Sequence, residues 1–92
     1  MKKVYIAGKI TGDAAYREKF AAAAQKLAGE GCAVLNPALL PTGMPPADYM
    51  RICFAMIDVA DEVACLGDFG NSGGARLEMA YCAYIGKSVV ML

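Results

Sequence analysis

Short apolar runs with strand character alternate with segments of helical periodicity along the whole chain. Four runs at residues 3–7, 32–37, 62–66 and 88–92 are short and rich in β-branched and other apolar residues. The three segments between them repeat their apolar residues at steps of three and four, as amphipathic helices do. Alternation of this kind predicts parallel strands joined by right-handed helical crossovers.

The pattern therefore predicts the α/β class. We expect a single three-layer domain of the flavodoxin-like or Rossmann-like type over residues 1–92, with a parallel four-stranded sheet and helices on both faces. Ligands of such sheets bind beyond the carboxyl ends of the strands. This rule brings the loops at 7–13, 36–43 and 67–74 to one edge. Because the fourth strand ends the chain, we expect a site that is open on one side unless a second subunit closes it.

Composition restricts the partners. The chain has 92 residues, so it buries only a modest part of its surface, and with 58% hydrophobic residues we expect a homodimer or larger homo-oligomer. Nine basic residues balance nine acidic ones, which disfavours nucleic acid as a partner. No apolar run approaches the roughly 20 residues that span a bilayer, and no signal-like segment opens the chain. We therefore expect a cytoplasmic protein without a membrane partner.

The titratable residues limit the chemistry. Histidine is absent, which removes Ser-His and Cys-His catalysis and leaves carboxylates, tyrosines, lysines or water to move protons. The cysteines lie far apart inside apolar runs, as buried reduced thiols do, so we expect neither disulfides nor a metal site. They are Cys32, Cys53, Cys65 and Cys82. We also expect no cofactor.

The helical patterns assign core and surface positions. The first helix is predicted to begin at Asp13, and the third to cover residues 75–85. The first helix buries Phe20, Ala23, Ala24 and Leu27. The second has Pro46 in its first turn, and its buried stripe comprises Tyr49, Ile52, Cys53, Met56 and Val59 or Ala60. Phe54 lies on its opposite face, where an exposed aromatic ring indicates a partner surface.

One carboxylate, Glu78, lies inside the predicted third helix among small and apolar residues. It shares a helical stripe with Cys82 and Ile85. In one interpretation the helix turns Glu78 toward solvent, or the side chain pairs with Arg76 or Lys87. In the other, Glu78 faces the crevice at the strand ends, where partial burial raises its pKa. The pattern leaves both interpretations open.

Two glycine-containing turns flank the expected crevice. Ser72, Gly73 and Gly74 precede the third helix, where a hydroxyl and unobstructed backbone N–H groups form a possible nest for an anion or a sugar hydroxyl. The loop after the first strand offers Gly8, Lys9 and Thr11 for a phosphate. Both are equally compatible with ordinary strand-to-helix turns.

Four segments together carry a family resemblance: "VYIAGKITGD", "LNPALLPTG", "DYMRICFAMIDVADEV" and "SGGARLEMAYCAYIGKSVVML". They resemble the small nucleoside 2-deoxyribosyltransferase-like proteins of the DUF4406 group, which are often of phage or prophage origin. The resemblance covers nearly the whole chain. In the wider superfamily, a glutamate on this helix attacks the anomeric carbon of deoxyribose and a tyrosine on the first strand orients it. The resemblance therefore implies Glu78 as nucleophile and Tyr5 as its orienting residue.

The resemblance also implies binding residues. Gly8, Lys9, Ile10 and Gly12 match the loop that holds the 5'-phosphate in the related monophosphate hydrolases. Those hydrolases carry a serine six residues before the glutamate, where transferases acting on free nucleosides usually carry an aspartate. Ser72 matches the hydrolases, which favours a nucleotide because a hydroxyl tolerates a phosphate that a carboxylate would repel.

The sequence also departs from the transferases. They use an aspartate on the preceding helix as the acid that helps the base leave, whereas this chain has Cys53 near that position. Asp48 and Asp58 lie about one turn away on either side, so no acid is assigned. The C-terminal strand and tail of the larger enzymes also have no counterpart.

Two functions from different classes follow. The first is a nucleotide or nucleoside N-glycosidase or deoxyribosyltransferase. The second is a non-catalytic nucleotide-binding or sensing module, possible for a protein of phage origin. A structural or interaction protein of the phage or its host is a third alternative. The sequence does not select the base.

Overall fold

A computed structural model describes all 92 residues of the chain. The strands are β1 (Lys3–Ala7), β2 (Ala33–Leu35), β3 (Glu62–Cys65) and β4 (Val89–Met91). The helices are α1 (Tyr16–Gly29), α2 (Pro46–Val59) and α3 (Gly73–Ile85). Short 3-10 turns cover Pro37–Leu39 and Phe69–Asn71. The predicted alternation of strands and helices is confirmed.

All neighbouring strands pair in parallel, in the order β2-β1-β3-β4. β1 and β3 are therefore central, and their apolar side chains alternate between the two faces. On one face Tyr5, Val63 and Cys65 belong to a core that includes residues of α2 and α3. On the other face Val4, Ile6 and Ala64 pack with α1. The predicted three layers, with helices on both faces, are confirmed.

Two helix starts differ from the prediction. α1 begins at Tyr16 rather than Asp13, because the Asp13 carboxylate accepts a hydrogen bond of 2.9 Å from the Ala15 backbone N–H and stabilises a turn before the helix. α3 begins at Gly73, two residues earlier than predicted, because Ser72 already caps it: its Oγ accepts from the Ala75 N–H at 3.2 Å. Within α1, Ala24 is half-buried rather than buried.

The buried stripe of α2 agrees in part with the predicted one, because Tyr49, Ile52 and Met56 are only half-buried and Ile57 is buried in addition. Cys53 and Ile57 are its buried residues, and Ala60 is buried just beyond its end. Val59 is 54% exposed. Phe54 is half-buried, because its ring stacks on Tyr81 of α3 with the ring centroids 4.3 Å apart. The predicted exposure of Phe54 is therefore wrong: the ring packs within the chain.

The cysteines follow the predicted burial with one exception. All are free thiols; Cys53, Cys65 and Cys82 are buried, and Cys32 is partly exposed at the start of the edge strand β2. The apolar residues of β4, the opposite edge strand, are exposed. None of the helices has the length and apolar character that crossing a bilayer requires.

Candidate active site

A cavity of about 620 Å³ lies at the carboxyl edge of the sheet. Its walls come from the loop after β1, the start of α1, the segment after β2, the turn before α3, and the first two turns of α2 and α3. These include the three loops that the strand-end rule brings together. A volume of this size falls within the roughly 300 to 1,000 Å³ typical of small-molecule sites.

Glu78 projects from the second turn of α3 to the floor of this cavity. Only 5% of the residue is exposed, and the Tyr5 hydroxyl donates a hydrogen bond of 3.0 Å to Glu78 Oε1. Tyr5 reaches it because alternation along β1 directs this ring toward the α2 and α3 face of the sheet. Neither the solvent-exposed arrangement nor pairing with Arg76 or Lys87 occurs. The interpretation that Glu78 faces the crevice is the correct one.

Burial dominates the electrostatics of Glu78. Removal from water raises the pKa of its carboxyl group to about 7, although hydrogen bonds from Tyr5 and Cys53 oppose that rise. Burial, reinforced by the adjacent Glu78 charge, raises the pKa of Tyr5 above its ordinary value. Tyr5 is therefore a permanent hydrogen-bond donor near neutral pH, whereas Glu78 changes its charge there.

Cys53 lies beside this pair and lines the cavity. Burial raises the pKa of its thiol, and the Glu78 charge adds to the rise, so the thiol is neutral at physiological pH. The two aspartates considered as acids lie elsewhere. Asp48 pairs with Arg51 at 3.2 Å, and Asp58 accepts a hydrogen bond of 2.6 Å from the Tyr81 hydroxyl. Neither lines the cavity, so Glu78 is its only carboxylate.

The turn before α3 brings hydrogen-bond donors to the cavity. Ser72, Gly73 and Gly74 all line it. The N–H groups of Ala75 and Arg76 bond to Ser72 Oγ and to the Ser72 carbonyl. Those of Gly73 and Gly74 make no hydrogen bond within the chain. Two free donors at a helix N-terminus suit an anionic group.

Only part of the loop after β1 lines the cavity. Gly8, Lys9, Ile10 and Thr11 line the cavity, whereas Gly12 does not and instead forms a turn with φ of 82°. The Lys9 N–H is already used, since it donates to the Asp68 carboxylate at 3.1 Å. The Lys9 ammonium makes no ion pair within the chain, so it is free to meet an anion.

Gly8 has a packing role as well. A Cβ atom at this position would lie 2.7 Å from Leu66 Cδ1 and 3.0 Å from Leu66 Cβ. The loops after β1 and β3 therefore approach so closely that a side chain at Gly8 would require Leu66 to shift. This close approach accounts for a glycine here independently of any ligand.

Several residues that line the cavity carry no signal of this role in the sequence. The segment after β2 contributes Leu40, Thr42 and Met44, and the first two turns of α2 contribute Tyr49 and Met50. The strand-end rule placed residues 36–43 at this edge without selecting side chains. The apolar stripe predicts Tyr49 in the helix core, because this pattern does not reveal that the helix start borders a cavity.

Comparisons with known proteins agree with this architecture. The fold is that of the nucleoside 2-deoxyribosyltransferase-like class. A family model described as "Domain of unknown function (DUF4406)" matches residues 2–91, and the chain belongs to this family. Among solved structures, the chain is similar to a 2-desoxiribosyltransferase from Leishmania mexicana, with a TM-score of 0.76 and 18% sequence identity. The match covers 100% of this chain and 64% of that one, less than two thirds of its length. No curated protein matches the sequence.

Proposed function

We propose that the chain cleaves the N-glycosidic bond of a deoxynucleotide or deoxynucleoside, as a hydrolase or as a deoxyribosyltransferase, with Glu78 as nucleophile. The observation that carries the proposal is the buried Glu78 carboxylate, bonded by Tyr5 at 3.0 Å and open to a cavity of about 620 Å³. Glu78 has no cation beside it that would neutralise it, so its charge is available to a cationic sugar.

The chemistry needs one carboxylate nucleophile. As the C1'–N bond breaks, its electron pair leaves with the base and positive charge develops on the sugar. A Glu78 oxygen then bonds to C1' and forms a glycosyl ester, while the departing base takes a proton from water. Water then attacks C1', the bond from C1' to Glu78 breaks with its electron pair returning to the carboxylate, and the water's proton passes to the solvent, which releases deoxyribose or, from a nucleotide, its 5'-phosphate. In the transferase reaction a second base attacks C1' instead and takes the sugar. Tyr5 orients the carboxylate throughout.

A 5'-phosphorylated substrate suits the polar end of the cavity. The Gly73 and Gly74 N–H groups, the Ser72 hydroxyl and the Lys9 ammonium are donors that a phosphate can accept from. Ser72 also matches the monophosphate hydrolases in the resemblance described above. We therefore assign Ser72, Gly73, Gly74 and the 8–10 part of the first loop to phosphate binding. Gly12 serves only the shape of that loop.

A non-catalytic nucleotide-binding or sensing module is the second candidate. The observation that favours it is the lack of a second carboxylate in the cavity, where Cys53 lies in place of an acid and Asp48 and Asp58 are directed elsewhere. A neutral thiol with a raised pKa is a poor proton donor to a departing base. Such a protein would hold the same ligand without breaking it.

One experiment separates the two candidates. The purified protein is incubated with deoxynucleoside 5'-monophosphates, deoxynucleosides and their ribose analogues, and released base is quantified by chromatography. The enzyme proposal expects free base from a deoxy substrate, and more from the monophosphates. Saturable binding without released base would favour the sensing module. The absence of both would contradict the assignment of the cavity to nucleotides.

A further inference from the structure

The segment after β2 forms one wall of the cavity with little support of its own. Residues 41–45 form neither helix nor strand, and most of them are exposed. Thr42 and Met44 nevertheless line the cavity. Gly43 lies between them with φ of 89°, and the chain bends at this point. The position of this wall therefore depends on contacts with other parts of the chain.

The Tyr49 hydroxyl forms hydrogen bonds to the backbone on both sides of this bend. It donates a hydrogen bond to the Pro41 carbonyl and accepts one of 3.4 Å from the Met44 backbone N–H. The backbone of residues 41–44 makes no other hydrogen bond. Tyr49 itself belongs to the first turn of α2, a rigid element, and its side chain also lines the cavity. A single phenol thus anchors the wall to the helix.

We propose that Tyr49 is a positioning residue that sets the shape of the cavity wall formed by Thr42 and Met44. The ligand named here rests on the proposed function. With the phosphate donors at the turn before α3 and in the β1 loop, the apolar side chains of Leu40 and Met44, which also line the cavity, suit the flat, apolar face of a base. Tyr49 would then govern how tightly the base is held, and leave the bond-breaking step to Glu78.

The test uses Tyr49→Phe, which keeps the ring and removes the hydroxyl. Tyr84→Phe is the matched control, because Tyr84 is 91% exposed and lies outside the cavity. Hydrogen exchange of the Met44 amide, followed by NMR, reports on the wall without any ligand. Exchange should become about tenfold faster or more in Tyr49→Phe and stay unchanged in Tyr84→Phe. Unchanged exchange in Tyr49→Phe would overturn the proposal.

Titration with the four common deoxynucleoside 5'-monophosphates gives the functional readout. Tyr49→Phe should weaken the Kd, and raise KM, by about five- to tenfold, the effect expected for one or two lost neutral hydrogen bonds. kcat and its pH profile should not change, since Glu78 and Tyr5 are untouched. Faster exchange with an unchanged Kd would overturn the role in positioning.

A second variant keeps the test valid if Tyr49→Phe folds poorly. Gly43→Ala leaves Tyr49 intact but strains the backbone at the bend, because a residue with a side chain disfavours a φ of 89°. The added Cβ itself meets no other atom within 4 Å, so the strain is confined to the backbone. It should produce the same rise in Kd, and an unaltered Kd would count against the wall. If wild type binds none of the four monophosphates although exchange responds as expected, the proposed function fails and the Tyr49 anchor stands.

Discussion

At the scale of single residues, two opposing effects act on the pKa of Glu78. Its burial favours the neutral acid, whereas the Tyr5 hydroxyl favours the carboxylate, and burial is the stronger. The result is a carboxyl group that changes charge close to neutral pH. A nucleophile must be ionised to attack C1', so this balance connects the geometry of the pair to the rate.

Removing the nucleophile should separate binding from chemistry. Glu78→Gln keeps the shape of the side chain but cannot form the glycosyl ester, so base release should fall by about a thousandfold or more. The Kd for the same nucleotide should change by no more than a few-fold. Single-turnover assays and calorimetry measure the two quantities. Base release that survives in Glu78→Gln would assign the chemistry to another group.

Removing the orienting hydroxyl should have a smaller and different effect. Tyr5→Phe should lower kcat about ten- to hundredfold, the effect of losing one hydrogen bond to a charged group. Activity of wild type should rise with pH through about 7, where Glu78 ionises. Because Tyr5 opposes the rise in the Glu78 pKa, the midpoint should move to higher pH in Tyr5→Phe. A lower kcat with an unmoved midpoint would indicate that Tyr5 does not act through Glu78.

The same group should make stability depend on pH. In the folded protein Glu78 holds its proton until about pH 7, whereas an unperturbed carboxyl group ionises near 4.5. The folded state therefore binds more protons between these values, so stability falls as pH rises from 4.5 to 7 and then levels off. The loss from this one group is roughly 3 kcal/mol. Urea unfolding at pH 5 and pH 7.5 measures it, and Glu78→Gln should flatten the profile. An equal pH dependence in both proteins would contradict the raised pKa.

At the scale of elements, periodicity predicted which segments are strands and helices, but not how the helices are rotated. The strands follow from short β-branched runs, and the parallel order follows from the alternation. The buried stripe of α2 differs because Ile57 is buried as well as the predicted Cys53, while the Phe54 ring stacks on Tyr81. Such a contact between two helices depends on their packing, which the pattern of one helix does not contain.

The candidate site, too, could be predicted only in part from the sequence. Glu78 and Tyr5 were identifiable, because a carboxylate in an apolar stripe is unusual and the family resemblance names its partner. Tyr49 was not identifiable from the sequence. Its two hydrogen bonds reach Pro41 and Met44, which lie in a segment without regular structure, and no sequence pattern places that segment beside the Tyr49 hydroxyl. The role of Gly8 also needed coordinates, because only they show how closely Leu66 approaches.

The close approach of two loops gives a stability prediction at this scale. Gly8→Ala places a methyl group 2.7 Å from Leu66 Cδ1, so the loops after β1 and β3 must separate. We expect a loss of about 1–3 kcal/mol, the usual cost of overpacking. Gly67→Ala is the control, because a Cβ there meets nothing within 4 Å. Urea unfolding measures both variants. A Gly8→Ala protein as stable as Gly67→Ala would show that Leu66 moves aside easily.

At the scale of the whole molecule, the chain leaves much apolar surface in water. The edge strand β4 and the outward face of α3 both carry exposed apolar residues. A chain of 92 residues gains stability by covering such surface. We infer a homodimer or larger closed assembly. Since Phe54 already packs within the chain, α3 rather than the middle of α2 is the better candidate for the interface.

The assembly can be tested on α3 with one charge. Leu77 is 51% exposed and does not line the cavity, so Leu77→Lys should split the oligomer without altering the ligand site directly. Light scattering at about tens of micromolar should report an oligomer for wild type and a monomer for the variant. Leu39→Lys is the control, because Leu39 is 82% exposed on the segment after β2 and should leave the assembly intact. A monomeric wild type would contradict the inference. An oligomer that persists in Leu77→Lys would move the interface to the β4 edge, where the exposed strand could pair with its symmetry mate.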